Sequence, residues 1–295
     1  MIRHCNWPFT SRGFFSEILV FLYFKQVLRL LYSTSLTPAF SHSNFCFWTP
    51  FLNLSTYKIL PCPGILLSPI RSTPFERRIH YITQFLPFQR LLLGVNVNSV
   101  FNRFWNQESE REILALFPSF YELLAEDLDA FFPSAALSNS FHSISSSISL
   151  PISYHALHVR RGDKILLNEA SSMSIYAFID RLRDFEILSC DRPLLIISDD
   201  ALFATKLASI LLHCFNVASI VNPLSQTIQG HSQLDFLRLP VTLRHRSLQD
   251  FLFEFLLLSK ANKLVVSLSS NVGKALYLHR RGHHTYSVDN CFSIC

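Results

Sequence analysis

The sequence contains little glycine and little charge. Its 295 residues include seven glycines and only 16% charged residues, against 49% hydrophobic residues. This balance excludes an intrinsically disordered chain, because disordered chains are rich in charge and poor in large apolar side chains. We therefore expect a folded protein whose scarce glycines, including Gly162 and Gly273, stand where the backbone requires them.

Signals for metal and nucleic-acid binding are also weak. The seven cysteines form no C-x-x-C pair, which argues against a structural zinc site. His279, His283 and His284 have a spacing that could bind a metal, but the arginines among them and Gly282 favour a solvated helix end with a glycine cap. The net charge of +5 is not concentrated in one run. We therefore expect neither a metal nor a nucleic-acid partner.

The N-terminal segment, residues 1–33, lacks an apolar run long enough to cross a bilayer. Its longest uninterrupted run covers residues 18–24, whereas a spanning helix needs roughly 20 residues. Ile18, Leu19 and Leu22 begin a pattern with nearly helical spacing. We therefore predict an amphipathic or buried helix, with a signal-anchor as the alternative.

The composition of residues 34–150 changes along the segment. Prolines in residues 34–75 exclude long helices there. Residues 107–131 show helical spacing, with Pro118 as a break. Residues 134–150 hold eight serines, and such a composition is too poor in large side chains to specify a packed element. We therefore predict an irregular linker over residues 134–150, with a domain boundary there.

From residue 151 to residue 295, short apolar runs alternate with helical patterns. The apolar runs are rich in Leu, Ile and Val, as buried parallel strands are, and they cover residues 154–160, 194–198, 215–222 and 264–268. Helical spacing follows over residues 174–186, 201–213, 248–261 and 272–280. This alternation predicts an α/β domain with a doubly wound parallel sheet.

Ligands bind such sheets beyond the carboxyl ends of the strands. The first predicted strand ends in the sequence HVRRGDK, residues 158–164. Arg160 and Arg161 present paired donors to phosphate oxygens, so this segment predicts a diphosphate site. The alternative is a surface salt-bridge cluster of Arg161, Asp163 and Lys164.

Two other strand ends carry polar residues. Asp199 and Asp200 follow the second strand, where Asp200 is expected to cap the next helix. The last strand is followed by Ser269, Ser270 and Asn271 at the start of a helix, where hydroxyls and free backbone amides favour an anion. Ordinary serine capping is the alternative. We expect the arginines and serines to converge on one pyrophosphate.

These segments together resemble the donor-binding motifs of a known enzyme family. HVRRGDK, LLIISDD and LLLSKANKLVVSLSSNVGKALY are similar in order and spacing to motifs of the α1,6-fucosyltransferases (glycosyltransferase family 23), which are related to nodulation fucosyltransferases and protein O-fucosyltransferases. The resemblance covers roughly residues 154–280. It implies a GT-B fold with two Rossmann-like halves. It also implies inverting transfer of L-fucose from GDP-fucose without a metal or other cofactor.

The resemblance also implies roles for individual residues. The catalytic residues would be Arg160 on the diphosphate, Glu169 as the general base and Lys164. His158 and Glu254 would face the guanine. Arg161, Asp163 and Lys164 would shape the phosphate loop, Asp199 and Asp200 would form the acidic pair of the family, and Ser269, Ser270 and Asn271 would hold phosphate and sugar.

Partners and location follow from the same resemblance. A glycan or glycoprotein would be the acceptor, with the N-glycan core as the expected site, and residues 34–150 would form a degenerate acceptor-side domain. A signal-anchor would place the protein in the Golgi or secretory lumen, and its absence would place it in the cytoplasm. The alternatives are an inactive nucleotide-sugar-binding relative and a membrane-associated structural protein.

Overall fold

The computed structural model describes two compact units of the chain, Met1–Ser134 and Ala135–Cys295. The described residues are Phe15, Ile18, Leu19, Leu22, Gln26, Leu52, 119–147, 151–161, 173–188, 192–215, 219–221, 236 and 238–289. Helices and strands are numbered below in chain order within these residues.

Helix α1 (Phe120–Phe131) belongs to the first unit and begins shortly after Pro118, where the sequence predicts a break. Phe120, Leu124 and Leu128 recur every four residues and are fully buried. This spacing places them on one face of the helix, which packs into the core of the first unit.

The described N-terminal residues are helical and buried. The apolar ones are Phe15, Ile18, Leu19 and Leu22. Their spacing confirms the helical pattern predicted around these positions. Gln26 follows on the same side and donates from Nε2 to the carboxylate of Asp127 at 2.6 Å. None of the helices in the described part of the chain is both long enough and apolar enough to cross a membrane.

Helix α2 (Ala135–Ser147) opens the second unit and occupies the serine-rich segment. The prediction of an irregular linker is therefore wrong for these residues. Leu137 and Phe141 lie four residues apart and are buried, and Phe141 packs near Phe253 with ring centroids 6.3 Å apart. Two large side chains on one face anchor the helix although most of its other residues are serine or alanine. The two units divide at the start of this helix.

The described strands of the second unit form one parallel sheet. They are β1 (His155–Val159), β2 (Leu194–Ser198), β3 (Ser219–Val221), β4 (Leu264–Val266) and β5 (Thr285–Ser287), in the order β3-β2-β1-β4-β5. The first four confirm the predicted strands. The sequence did not predict β5, because its residues Thr285, Tyr286 and Ser287 form no apolar run.

Helices cover both faces of this sheet. They are α3 (Ile175–Asp184), α4 (Ala201–Phe215), α5 (Val241–Ser259) and α6 (Asn271–His279). Helices α3 and α4 pack around Leu157, Val159 and Ile196 on one face, whereas α5 contacts α6, β1 and β2 from the other. This arrangement confirms the predicted doubly wound α/β fold. Helix α5 begins directly after Pro240, earlier than residue 248, where the pattern predicted its start.

Arg280 joins several elements at the amino ends of the strands. Its Nη1 donates to the carbonyl oxygens of Ser259 at 2.6 Å and Ala261 at 2.7 Å, and its Nε donates to Thr285 Oγ1 at 3.0 Å. Because Ser259 ends helix α5, the guanidinium partners carbonyls that the helix terminus cannot satisfy by itself. Arg280 thus stabilises the edge of the sheet opposite to the carboxyl ends of the strands.

Candidate functional site

The order of the strands changes direction between β1 and β4. Strands β2 and β3 lie on one side of this pair of neighbours and β5 on the other. At such a switch point the connecting loops leave toward opposite faces of the sheet and open a crevice in which ligands bind. The loops that follow β1 and β4 border this crevice.

The arginine and serine segments leave these two adjacent strands. Ala156 pairs with Leu264 and Leu157 with Val265, and the same register places the residues after Val159 beside the loop that follows Val266. Neighbouring strands are about 4.8 Å apart. The structure therefore brings both predicted anion-binding segments to one edge of the sheet.

Arg160 is held in place by Asp199, the first residue after β2. Nη1 of Arg160 forms an ion pair with Oδ2 of Asp199, and Oδ1 accepts the backbone N–H of Arg161 at 2.7 Å. The two side chains of the ion pair are only 13% and 10% exposed. Asp199 therefore fixes both the β1 loop and the orientation of the Arg160 guanidinium.

Arg161 is fixed by partners that the sequence did not indicate. Its Nε donates to Asp200 at 3.4 Å, its Nη1 donates to the Met173 carbonyl at 3.1 Å, and its guanidinium lies 4.1 Å from the centre of the Phe203 ring. Asp200 also accepts the backbone N–H of Phe203 at 2.9 Å, which confirms its predicted role as the cap of α4.

Several predicted site residues lie outside the described part of the chain. They are Gly162, Asp163, Lys164 and Glu169. The roles of Lys164 and Glu169 in catalysis therefore stay predictions.

Ser270 is the N-cap of helix α6. Its Oγ accepts the backbone N–H of Gly273 at 3.0 Å, so the capping alternative holds for this hydroxyl. The N–H groups of Asn271 and Val272, at the first two helical positions, have no acceptor inside the helix. Together with the helix dipole, these amides favour an anion at the edge of the sheet.

Gly273 allows helix α6 to start close to β4. A Cβ at this position would overlap the carbonyl oxygen of Ser267 and lie 2.9 Å from its carbonyl carbon. No side chain fits there without displacing the backbone. The expectation that this scarce glycine stands where the backbone requires it is confirmed.

Asp289 organises the β4–α6 loop, and the sequence did not point to it. Its buried carboxylate accepts the backbone N–H groups of Leu268 at 2.8 Å and Ser269 at 3.2 Å, and also the hydroxyls of Ser267 and Ser269. Ser287 of β5 donates to it at 2.7 Å. In the sequence, Asp289 is only an acidic residue after a short polar segment. Its partner Ser269 precedes it by 20 residues, so local spacing does not indicate its role.

The environment of Asp289 favours its charged form. Burial raises the pKa of this carboxyl, but hydrogen bonds from the hydroxyls of Ser267, Ser269 and Ser287 and from the Ser269 amide lower it, and the pKa lies below its ordinary value overall. The carboxylate is therefore ionised at neutral pH and acts purely as an acceptor.

His158 presents an unsatisfied nitrogen near the end of β1. Its side chain is buried, and its Nδ1 has no hydrogen-bond partner among the described residues. Burial, with a smaller contribution from the charge of Arg160, lowers its pKa to about 3, so the imidazole is neutral. Because His158 alternates with Leu157 and Val159, it points toward the face that α5 covers. Such buried polar atoms are normally paired, so this nitrogen has unused hydrogen-bonding capacity within the described part of the chain.

Glu254, predicted to share a ligand with His158, lies in α5. The residue is 7% exposed, and α5 contacts β1 and β2. A buried carboxylate on a helix beside the sheet is uncommon unless it is paired or hydrogen-bonded. Helix α5 therefore brings Glu254 into the layer that covers the His158 face of the sheet.

The histidines near the end of α6 form no metal cluster. No group of three His, Cys, Asp or Glu side chains in the described ranges is placed to hold a metal ion. Gly282 has a φ of +71° and donates its N–H to the Tyr277 carbonyl at 2.8 Å, which confirms the predicted glycine cap.

Comparisons with known proteins reveal similarity at the level of structure. No protein-family model matches the chain. No curated protein matches it either. A variant of Arabidopsis thaliana FUT1 in complex with GDP has a TM-score of 0.52 and 13% identity over 98% of this chain and 71% of that chain. The apo form of POFUT1 has a TM-score of 0.50 and 10% identity, with 96% and 97% covered.

This similarity defines the fold class. The chain has a GT-B-like α/β fold, as predicted. Within that class, the similar structures are fucosyltransferases. At identities of 13% and 10%, the likeness describes the fold alone.

Proposed function

We propose that this protein is a fucosyltransferase that uses GDP-fucose as its donor. The proposal depends on one observation: three features lie around the β1–β4 switch point. They are the Arg160 loop, the start of helix α6, and His158 Nδ1, which has no partner among the described residues. The similar Arabidopsis thaliana FUT1 structure contains GDP. GDP combines a purine and a diphosphate, which are the two chemical groups that these residues suit.

The proposed contacts divide the nucleotide between two parts of the site. The neutral imidazole of His158 can exchange a hydrogen bond with the guanine in a dry environment, with Glu254 as the second proposed base contact. Arg160 is the proposed contact to the diphosphate. Its ion pair with Asp199 fixes a planar group with five N–H donors, and such orientation favours bidentate contact with phosphate oxygens.

Helix α6 supplies the second proposed phosphate contact. The N–H groups of Asn271 and Val272 face the end of the helix, and a phosphate there gains both hydrogen bonds and the favourable helix dipole. Negative charge develops on the departing GDP during transfer. Fixed donors at that position stabilise the transition state, so the proposed reaction needs no metal.

The proposed chemistry is inverting transfer. An acceptor hydroxyl attacks the anomeric carbon of fucose, the bond from this carbon to the diphosphate breaks, and the electron pair leaves with GDP. The proton of the hydroxyl passes to a general base. Glu169 is the proposed base, with Arg160 and Lys164 stabilising the leaving group.

The finer specificity is part of the same proposal. We propose a glycan acceptor, with α1,6 transfer to the N-glycan core as the reaction and the secretory pathway as its compartment. The support for this specificity is the similarity of HVRRGDK and of the SLSSN segment to motifs of the α1,6-fucosyltransferases. Comparing labelled fucose transfer to core N-glycans and to unglycosylated protein tests it.

Calorimetric titration with GDP, GDP-fucose, GDP-mannose and UDP-glucose tests the donor. We expect GDP and GDP-fucose to bind and UDP-glucose not to bind. At a GDP concentration 100 times its dissociation constant, the free energy of unfolding should rise by about 2.7 kcal/mol. Absence of any GDP-dependent stabilisation would contradict the proposal and favour a structural protein.

Transfer assays separate an active enzyme from a binding-only relative. We expect Glu169→Gln to retain GDP binding and lose transfer of labelled fucose, because the variant lacks only the proposed base. A wild-type protein that binds GDP but transfers no fucose to any glycan tested would favour the inactive relative.

A further inference from the structure

The carboxylate of Asp289 is surrounded by donors from two elements. The loop after β4 contributes the hydroxyls of Ser267 and Ser269 and the backbone N–H groups of Leu268 and Ser269. Strand β5 contributes the hydroxyl of Ser287. Because helix α6 starts directly after this loop, Asp289 contacts the segment that leads into the helix.

The same contacts decide which atoms of the loop remain for a ligand. The N–H groups of Leu268 and Ser269 point toward Asp289, so they do not serve an anion in the crevice. The amides of Asn271 and Val272 come one turn later, at the start of α6. The amides of Leu268 and Ser269 therefore bind Asp289, and the amides at the start of α6 are the ones that can bind an anion.

The hydroxyl hydrogens are also used inside this cluster. The oxygens of Ser267 and Ser269 lie 2.9 Å apart, and both lie within hydrogen-bond reach of Asp289. Each hydroxyl has one hydrogen and two lone pairs. Ser269 is partly exposed whereas Ser267, Leu268 and Ser270 are buried. With its hydrogen directed to Asp289, the Ser269 hydroxyl keeps only lone pairs for any other partner, so it can serve a ligand as an acceptor.

We propose that Asp289 is a positioning residue of the donor site. It holds the loop so that the start of α6 faces the diphosphate, and it turns the Ser269 hydroxyl into an acceptor for a hydroxyl group of the sugar nucleotide. This inference rests on the proposed function, since it assigns the ligand of that site. The negative charge of Asp289 is tolerated near a diphosphate because its oxygens are enclosed by donors.

Asp289→Asn tests the positioning role of Asp289 most directly. Asparagine keeps the shape of the side chain but replaces one acceptor oxygen with an N–H₂ donor. Whichever oxygen is replaced, this N–H₂ group would face a backbone N–H of the loop, that of Leu268 or that of Ser269, which can only donate. The loop must then shift or leave buried donors unsatisfied.

Two measurements on wild-type protein and Asp289→Asn test the inference. In the ligand-free protein, hydrogen exchange at Leu268 and Ser269 should be at least about tenfold faster in the variant, because each amide loses a charged acceptor. The Kd for GDP and the KM for GDP-fucose should both rise about tenfold, with kcat within about threefold, because the loop positions the donor rather than the reacting atoms.

Ser287→Ala is the matched control. It removes a hydrogen bond to Asp289 from β5 and leaves the loop contacts in place, so the Kd for GDP should stay within about twofold of wild type. Unchanged exchange at Leu268 and Ser269 in Asp289→Asn would overturn the inference. An unchanged Kd in a protein whose wild type binds GDP would overturn it as well.

A second variant covers the case in which Asp289→Asn does not fold. Ser269→Ala leaves Asp289 and the backbone contacts intact, and it should raise the KM for GDP-fucose while exchange at Leu268 stays as in wild type. An unaltered KM would overturn the role of Ser269 as an acceptor. A wild-type protein that binds no GDP would instead overturn the proposed function, and hydrogen exchange alone would then decide whether Asp289 fixes the loop.

Discussion

The guanidinium of Arg160 and the carboxylate of Asp199 form an ion pair across the carboxyl ends of β1 and β2. The pair joins the residue most suited to bind phosphate with a residue that the fold places beside it. Both side chains are largely buried, so removing one of them leaves the other without its partner in the ion pair. Stability and ligand binding are therefore coupled at Arg160, and a test must separate them.

Arg160→Ala should lower both stability and GDP affinity. The free energy of unfolding should fall by about 3 kcal/mol, because the Asp199 carboxylate stays buried without its partner. The Kd for GDP should rise by at least about tenfold through the loss of charged hydrogen bonds to phosphate. Urea denaturation and calorimetric titration measure the two effects.

The double variant Arg160→Ala/Asp199→Ala separates the two roles. It should recover much of the stability, since no unpaired charge remains. It should recover none of the GDP affinity, because the guanidinium that donates hydrogen bonds to the phosphate is still missing. Arg183→Ala, at an exposed ion pair with Asp180, serves as a control and should change stability by less than about 1 kcal/mol. Recovery of GDP binding in the double variant would show that Arg160 is structural only.

His158 should make stability depend on pH. The unfolded histidine binds a proton below pH 6.5, whereas in the folded protein its pKa is about 3, so stability decreases as pH falls through this window. From pH 7 to pH 5, wild type should lose roughly 2 kcal/mol more than His158→Gln, at about 1.4 kcal/mol for each pH unit below 6.5. Urea denaturation at pH 7, 6 and 5 measures this difference. Parallel pH profiles for the two proteins would count against a buried neutral imidazole.

Substitutions of Gly273 and Gly282 by alanine should lower the free energy of unfolding by different amounts. Gly273→Ala forces a Cβ against the Ser267 backbone and should destabilise the protein by about 3 kcal/mol, as overpacking does. Gly282→Ala meets the flexible end of Tyr277 and keeps a φ of +71°, which should cost about 1 kcal/mol. Chemical denaturation gives both values. Equal costs would mean that α6 can move away from β4.

Arg280→Met should reduce stability without affecting the donor site. Carbonyls of Ser259 and Ala261 lose a charged donor, so the free energy of unfolding should fall by about 3 kcal/mol. GDP affinity should remain within about twofold when measured well below the melting temperature, because Arg280 lies at the opposite edge of the sheet. A large rise in the Kd for GDP would indicate that the two edges are coupled.

The sequence predicted those parts of the fold that follow from local pattern. The apolar run Leu194–Ser198 is strand β2 at the predicted bounds, since a short run of Leu and Ile before an acidic cap has few alternatives. The capping role of Asp200 was predictable for the same reason. Each of these depends on residues that lie close together in the chain.

The remaining features depend on contacts between distant residues. Helix α2 is anchored by the packing of Phe141 near Phe253, which lies over a hundred positions further along the chain. Asp289 gains its role from serines of the loop after β4, and Arg161 gains its partners from the starts of α3 and α4. A motif within one segment does not encode such long-range contacts, so the roles of these residues become visible only in the folded structure.

His158 and Arg160 lie two positions apart at the end of the same strand, and this spacing limits how the gene can change. Inserting or deleting one codon within β1 would rotate His158 into the opposite layer of helices and shift Arg160 away from Asp199. One such event would remove the contacts proposed for both ends of the nucleotide. Evolution of this segment is therefore expected to proceed by substitution, with length variation confined to the loops beyond it.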